Sequence, residues 1–471
     1  MVQQDHLSKT MNTKTRLLQT VPRDFRLAAL TLVLAGLPTI SAVSSDSSVP
    51  TTRAATETAL VAAKEGTIAA RLTTPEELAR LLGKPTQEKR EHEGDEDVLV
   101  QEFPDITAVF ARFRDPPGPY TLYKLEVSGR AVDIGRDRQL TLRTTDDLSK
   151  LNPFWGLAGV SLARLDLRQQ SKLLNAMTFD SLTVWPAQEQ LPEGFVPSRL
   201  LEEGKNPGLG VRALQRAGLD GRSVGIAIID QPLLLDHEEY ASRLVKYVPV
   251  DVEDVPAQMH GPSVASIAVG KNCGVAPGAS LYYFAVPTWK WLRNEPWAEQ
   301  LERVIEFNKT LKDTPKIRVV SISLGAFSER PNPACWRQAL EKAEQANLLV
   351  ITCDPQFLTI GTLKRDEAHP EPTPSDYTAG RYSYPGAALW VPAANRGLAS
   401  FRGRTVYTYD RTGGMSWTVP YLAGVAALGW QVAPETHPKE MVQAWLRTAT
   451  RTAVGPVLNP AAVVEELKKT K

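Results

Sequence analysis

Cysteine is scarce in this chain of 471 residues, which has three: Cys273, Cys335 and Cys353. An odd number cannot pair completely, so at most one disulfide is allowed and no disulfide framework holds the fold. Their spacing matches no zinc-binding pattern. Net charge is almost absent, at +1 from 54 Lys plus Arg against 53 Asp plus Glu. Without a basic excess there is no electrostatic case for nucleic acid, and nothing favours an acidic partner. No repeat period indicates a solenoid. After the N-terminal region no apolar run is long enough to span a membrane. What is plentiful is hydrophobic residues, 42% of the chain. That is enough for a sizeable core, in two or three domains or in one large domain with an extension.

The N-terminal region differs from the rest. Lys14, Arg16, Arg23 and Arg26 precede "LAALTLVLAGLPTISAVSS", a short apolar stretch interrupted by Gly36 and Pro38 and followed by small residues such as Ser41 and Ala42. Residues 1–45 read as a secretory signal peptide. A single N-terminal anchor, or a start at Met11, are the competing readings. Residues 46–66, rich in Ser, Thr and Ala, read as a flexible linker. Residues 67–194 read as a small α+β region. In "TTPEELARLLGK", Thr74 can cap a helix, Pro75 suits its first turn, Glu77 completes a capping box and Gly83 stops it. The charged "EKREHEGDED" reads as a solvated loop. "ITAVFARF", "YTLYKLEVSG" and "LTLRT" read as strands. The Pro/Gly-rich "LPEGFVPSRLLEEGKNPGLG" suggests a domain boundary at 194/195.

From residue 195 to 471 the pattern changes. "SVGIAIID", "SLYYFAVP", "IRVVSISLG" and "NLLVITCD" are short apolar runs, as expected of strands buried on both faces. Helix-period segments such as "AEQLERVIEFNKTL" and "WRQALEKAEQA" lie between them. This alternation predicts an α/β fold, a mostly parallel sheet with helices on both sides. Ligands of such sheets bind at the carboxyl ends of the strands. "PKEMVQAWLRTATRT" and "NPAAVVEELKKTK", the latter with Asn459 as cap, read as helices finishing this domain.

Three residues stand at strand ends or helix starts. Asp230 closes "GIAIID", His260 opens "HGPSVASIAVG", and Ser416 opens "SWTVPYLAGVAAL" after Gly413 and Gly414. Each alone has a plainer reading: a turn Asp before Pro232, a satisfied histidine, an N-cap serine. Together they form a set in which a carboxylate orients a base and the base activates a hydroxyl. The helix start adds backbone N–H groups that favour developing negative charge.

The blocks "VGIAIID", "HGPSVASIAVG" with "GVAPGASLYYFAV", "VVSISLG" and "GGMSWTVPYLAGVAAL", in that order over about residues 195–455, resemble the subtilisin-like serine proteases (subtilases). They look most like a divergent bacterial subgroup. The resemblance implies a subtilisin-like three-layer fold behind the smaller α+β region. It implies a secreted serine endopeptidase working through an acyl-enzyme, with Ser416 as nucleophile, His260 as general base and Asp230 orienting it. Ser323, Leu324 and Gly325 would offer backbone to an extended protein or peptide substrate. Residues 67–194 would be a removable prosegment or a permanent accessory domain. The chemistry implies no cofactor. Structural calcium is common in the family, but no ligands map onto this sequence. A monomer in the extracellular space or cell envelope is implied, with no membrane span once the signal is removed.

Departures from the family pattern are "DQP" after the aspartate, Ser263 for the second histidine of its block, Met415 before the serine and Tyr421 after Pro420. The largest falls in "LLVITCDPQ", where Asp354 stands at the place of the oxyanion-hole asparagine. A protonated Asp354 would donate, an ionised one would repel, and Asn395 is a weaker alternative. Cys353 reads as a buried core thiol. The alternative function is a catalytically impaired subtilase fold that binds peptides or proteins.

Overall fold

The computed structural model describes residues 52–93, 96–113, 118–135, 139–154 and 156–469. The signal peptide expected over residues 1–45 lies outside these. Among the described residues no helix is long and apolar enough to cross a membrane. The chain divides into two compact units between Asn152 and Pro153.

The first unit holds α1 (Thr52–Lys64), α2 (Pro75–Leu82) and an antiparallel sheet. Its strands run in sequence order: β1 (Gln87–Glu93), β2 (Glu96–Phe103), β3 (Ile106–Phe113), β4 (Thr121–Val127) and β5 (Arg130–Ala131). α2 forms as expected, with the Thr74–Glu77 capping box, Pro75 in the first turn and Gly83 at the end. Three expectations fail. The linker at 46–66 contains α1, because Ala55, Ala59, Ala62 and Ala63 recur at helical spacing and are buried in the core. Small side chains gave that stretch a loop-like composition, yet they pack tightly and favour helix. The charged loop is a hairpin of β1 and β2. β1 is an edge strand whose mostly exposed charges form local pairs, Arg90 with Glu88 and Lys89 with Glu91. "LTLRT" supplies only an isolated bridge at Thr141.

In the second unit a sheet of five parallel strands runs in the order β11–β10–β7–β9–β8. These are β7 (Gly225–Asp230), β8 (Leu244–Pro249), β9 (Ser280–Ala285), β10 (Ile317–Ile322) and β11 (Leu349–Thr352). All six residues of β7 are buried, and they alternate between two cores. Ile226 and Ile228 pack with Val264 and Ala268 of α6 (His260–Val269) and with Val419 and Leu422 of α9 (Met415–Val432). Ala227 and Ile229 pack with Trp297 and Leu301 of α7 (Glu295–Thr310) and Ala339 of α8 (Pro333–Gln345). The period-2 pleat thus divides the helices into two layers, giving the α/β arrangement expected. A second sheet, β13–β12–β14–β18–β17, contains β12 (Ile360–Arg365), β13 (Tyr377–Ser383), β14 (Leu389–Ala394), β17 (Thr450–Thr452) and β18 (Gly455–Val457). The C-terminal helices α10 (Pro438–Thr448) and α11 (Pro460–Lys469) form as expected, and Asn459 Oδ1 accepts from Ala462 N–H.

The compact units divide at 152/153, whereas the sequence suggested a boundary at 194/195. Residues before 195 supply β6 (Phe179–Asp180), the third strand of a sheet with β15 (Arg396–Ala399) and β16 (Tyr407–Asp410). Phe179 stacks on Tyr409 at 5.1 Å between ring centroids. Asp180 Oδ1 accepts from Gly159 N–H and Leu182 N–H, which closes the turns around β6. The segment has little regular structure, with α3 (Ser171–Leu174) a single turn, before α4 (Pro197–Gly204) and α5 (Val211–Arg216) begin the chain's regular course. A strand of two residues carries no sequence periodicity, which hid this attachment.

Candidate active site

β7 delivers Asp230 to the carboxyl end of the sheet, where it is 2% exposed. Its Oδ1 lies 2.7 Å from His260 Nδ1 and accepts from Gln231 N–H at 2.7 Å. His260 is the first residue of α6. The next residue, Gly261, lets α6 approach closely: a Cβ there would lie 2.5 Å from the Gln231 carbonyl and 2.7 Å from Tyr283 Oη. Tyr283 Oη in turn donates to that carbonyl. A carboxylate at Nδ1 assigns the ring proton to Nδ1 and leaves the Nε2 lone pair for another proton.

Ser416 is the second residue of α9. The turn before it contains Gly413, at φ +68°, where a Cβ would lie 2.9 Å from the backbone of Ala393 and Ala394. Ser416 Oγ donates to the Ser323 carbonyl at 3.4 Å. In return Ser323 Oγ donates to the Ser416 carbonyl at 2.9 Å. Pro420 explains that second bond. Lying four residues after Ser416, it has no N–H to give the Ser416 carbonyl, so the i→i−4 bond is missing. Ser323 fills the vacated acceptor, and β10 is thereby tied to the start of α9.

Ser323 follows β10, with Leu324 and Gly325 after it. The Leu324 carbonyl accepts from Cys353 N–H at 2.9 Å. Gly325 lies against the Cys353 carbonyl. Cys353, just after β11, is buried, and burial pushes its thiol up to about 12, with the Asp230 charge adding to the shift. It is the expected core thiol.

Asp354 is 4% exposed. Its Oδ2 accepts from Phe327 N–H and its Oδ1 from Gln356 N–H, each at 3.0 Å. Both oxygens therefore act as acceptors that pin two loops. Asn395, the weaker alternative, is turned elsewhere: its Nδ2 donates to the Arg365 carbonyl.

Two residues at the site were missed in sequence. Trp417 packs its ring 5.1 Å from the His260 ring, the planes tilted by 32°. Its Nε1 donates to Asp410 Oδ2 at 2.6 Å. A sequence signal existed in "YDRTGG", an Asp beginning a glycine turn. Among the described residues, no three His, Cys, Asp or Glu side chains cluster as metal ligands.

Residues 221–354 match the model of the subtilase family. The subtilisin-like protease PopC of Myxococcus xanthus (strain DK1622) is 24% identical over 284 residues. That covers 51% of this chain and 58% of PopC, so the match spans little more than half of the relative's length. The solved structure of the prenylagaramide maturation protease PagA aligns with 55% of this chain and 98% of its own, at 18% identity and a TM-score of 0.42. A cold-adapted subtilisin-like serine proteinase aligns over 51% and 89%, at 21% identity and a TM-score of 0.39. The matched segment carries Asp230, His260 and residues 323–325, and over it this chain is similar to the subtilase family.

Proposed function

We propose that the chain is a serine endopeptidase whose nucleophile is Ser416. The observation that carries this reading is the 2.7 Å contact of Asp230 with His260 Nδ1 at the carboxyl end of the parallel sheet, beside the start of α9. His260 Nε2 takes the Ser416 proton as Oγ attacks the scissile carbonyl, then returns it to the leaving amine. Asp230 holds the ring and stabilises its cation. Water hydrolyses the acyl-enzyme through the same base. Residues 323–325 align the peptide backbone as an added strand. The Ser416 N–H, in the first turn of α9, faces the developing oxyanion. With Asp354 occupied as an acceptor, a side-chain amide donor is missing from that position, a loss that costs about 10²–10³ in rate. The enzyme is accordingly slow. Residues 1–45 direct it to secretion, and the first unit is a prosegment or accessory domain.

The test is labelling of the processed, purified protein with a fluorophosphonate probe. We expect an adduct on Ser416, absent in Ser416→Ala, and loss of peptide cleavage by at least about 10⁴-fold in that variant. A processed wild-type chain that takes no label sinks the proposal. The N-terminal sequence of labelled protein from the medium locates both signal and maturation cuts. A second reading, a peptide-binding subtilase fold without turnover, is favoured by the acceptor role of Asp354. It is adopted if wild type and Ser416→Ala treat a broad peptide library alike.

A further inference from the structure

We propose that Asp410 is a positioning residue for the serine–histidine pair, acting through the indole of Trp417; this rests on the peptidase reading above. Asp410 ends β16 and is 5% exposed. Its two oxygens do different work. Oδ1 accepts from the backbone N–H of Thr412 at 2.9 Å and of Gly413 at 3.1 Å, and from the hydroxyls of Thr412 and Thr178. Those bonds set the turn that leads into α9 and Ser416. Oδ2 takes the Trp417 Nε1–H at 2.6 Å, a charge-assisted bond of the strong class.

The indole so held is the wall on which the imidazole rests, 5.1 Å between centroids. One carboxylate thus fixes the approach of the nucleophile and the packing of the base. The distance also suits attraction between an aromatic ring and the imidazolium formed during turnover. Asp230 fixes His260 at a single ring nitrogen. A ring held at one atom still swings, and the indole limits that swing.

Asp410 also answers to a distant part of the chain. Thr178 Oγ1 donates to Oδ1 of Asp410 and accepts from Arg411 N–H. Next to it, β6 pairs with β16, Phe179 opposite Tyr409 and Asp180 opposite Thr408. Residues 153–194 therefore brace the support of the active site. A maturation cut that leaves a working enzyme falls before Pro153.

The experiment uses the full chain and two variants. Asp410→Ala removes both sets of bonds. Trp417→Phe keeps Asp410 and its turn but deletes the indole donor, which guards against a fold lost in the first variant. Each is scored by kcat and KM on a cleaved peptide. Each is also scored by the NMR positions of the His260 ring protons, which sense the ring current of residue 417 without requiring activity. We expect kcat to fall about 10- to 100-fold, the scale of a small misplacement at a reacting centre. KM should stay within about twofold, and the double variant should lose little beyond the worse single one. The His260 resonances should move in both. Unmoved resonances with unchanged kcat in folded Trp417→Phe overturn the proposal. A wild type that neither cleaves nor takes label at Ser416 overturns the peptidase reading instead, and the resonances alone then decide the role of Asp410.

Discussion

Asp354 is a residue whose environment matters more than its place in a motif. Replacing it by the asparagine usual in the family puts an NH₂ against the N–H of Phe327 or Gln356, where an oxygen now accepts. We expect Asp354→Asn to lose about 1–3 kcal/mol, the cost of an unpaired buried donor, and to gain no kcat. Urea unfolding and a peptide assay check both. Cys353 gives a second prediction at this scale. Its thiol is buried and pushed up to about 12, so at pH 8 only about one part in 10⁴ is thiolate. Cys273 is fully buried, and burial raises its thiol well above the usual range. Cys335 is partly exposed. Iodoacetamide followed by mass spectrometry should mark Cys335 alone in the native protein and all three cysteines in denaturant.

α9 shows how an element accommodates a proline in its interior. Pro420 leaves the Ser416 carbonyl without its helical partner, and Ser323 Oγ supplies one from β10. Ser323→Ala should therefore lower stability by about 1–3 kcal/mol through an unsatisfied carbonyl. Pro420→Ala restores an N–H at the i+4 position, so in the Ser323→Ala background it should recover part of that loss. A double-mutant cycle in urea should give a coupling of at least about 0.5 kcal/mol. Strict additivity would mean the two residues act separately. This helix was legible in the sequence because its glycines and apolar run are local signals. The partner of its freed carbonyl was not, because Ser323 lies 93 residues away.

Across the whole molecule, stability should depend on a buried histidine outside the motifs. His237 is fully buried, its Nε2–H donating to the Val406 carbonyl and its Nδ1 accepting from Glu239 N–H. Burial holds its pKa below the usual 6.5, against the opposing pull of the Val406 bond and of Glu239, Glu238 and Asp236. The unfolded chain then binds the proton more readily than the folded one. Stability is therefore complete above about pH 6.5 and falls as pH drops toward the folded pKa. Tm should decline between pH 7.5 and 5.5, and His237→Gln should show a smaller decline; equal slopes would exclude His237 as the cause.

The sequence by itself determined four strands of the parallel sheet, the helices between and after them, and the placement of Asp230, His260 and Ser416 at element ends. Each rests on a local signal: apolar runs of strand length, helical periodicity, caps and glycine turns. It also placed the α2 capping box, which spans four residues. It misread α1 and the β1–β2 hairpin, where composition concealed small or edge-strand residues that only packing orients. Tertiary structure alone decided that the second unit starts at Pro153, that Asp354 is an acceptor, that Ser323 answers the Ser416 carbonyl and that Asp410 carries Trp417. The reason is physical. A strand of two residues, a carboxylate's choice of partner and the partner of a freed carbonyl depend on groups brought together through space, and those groups leave no periodicity in the chain.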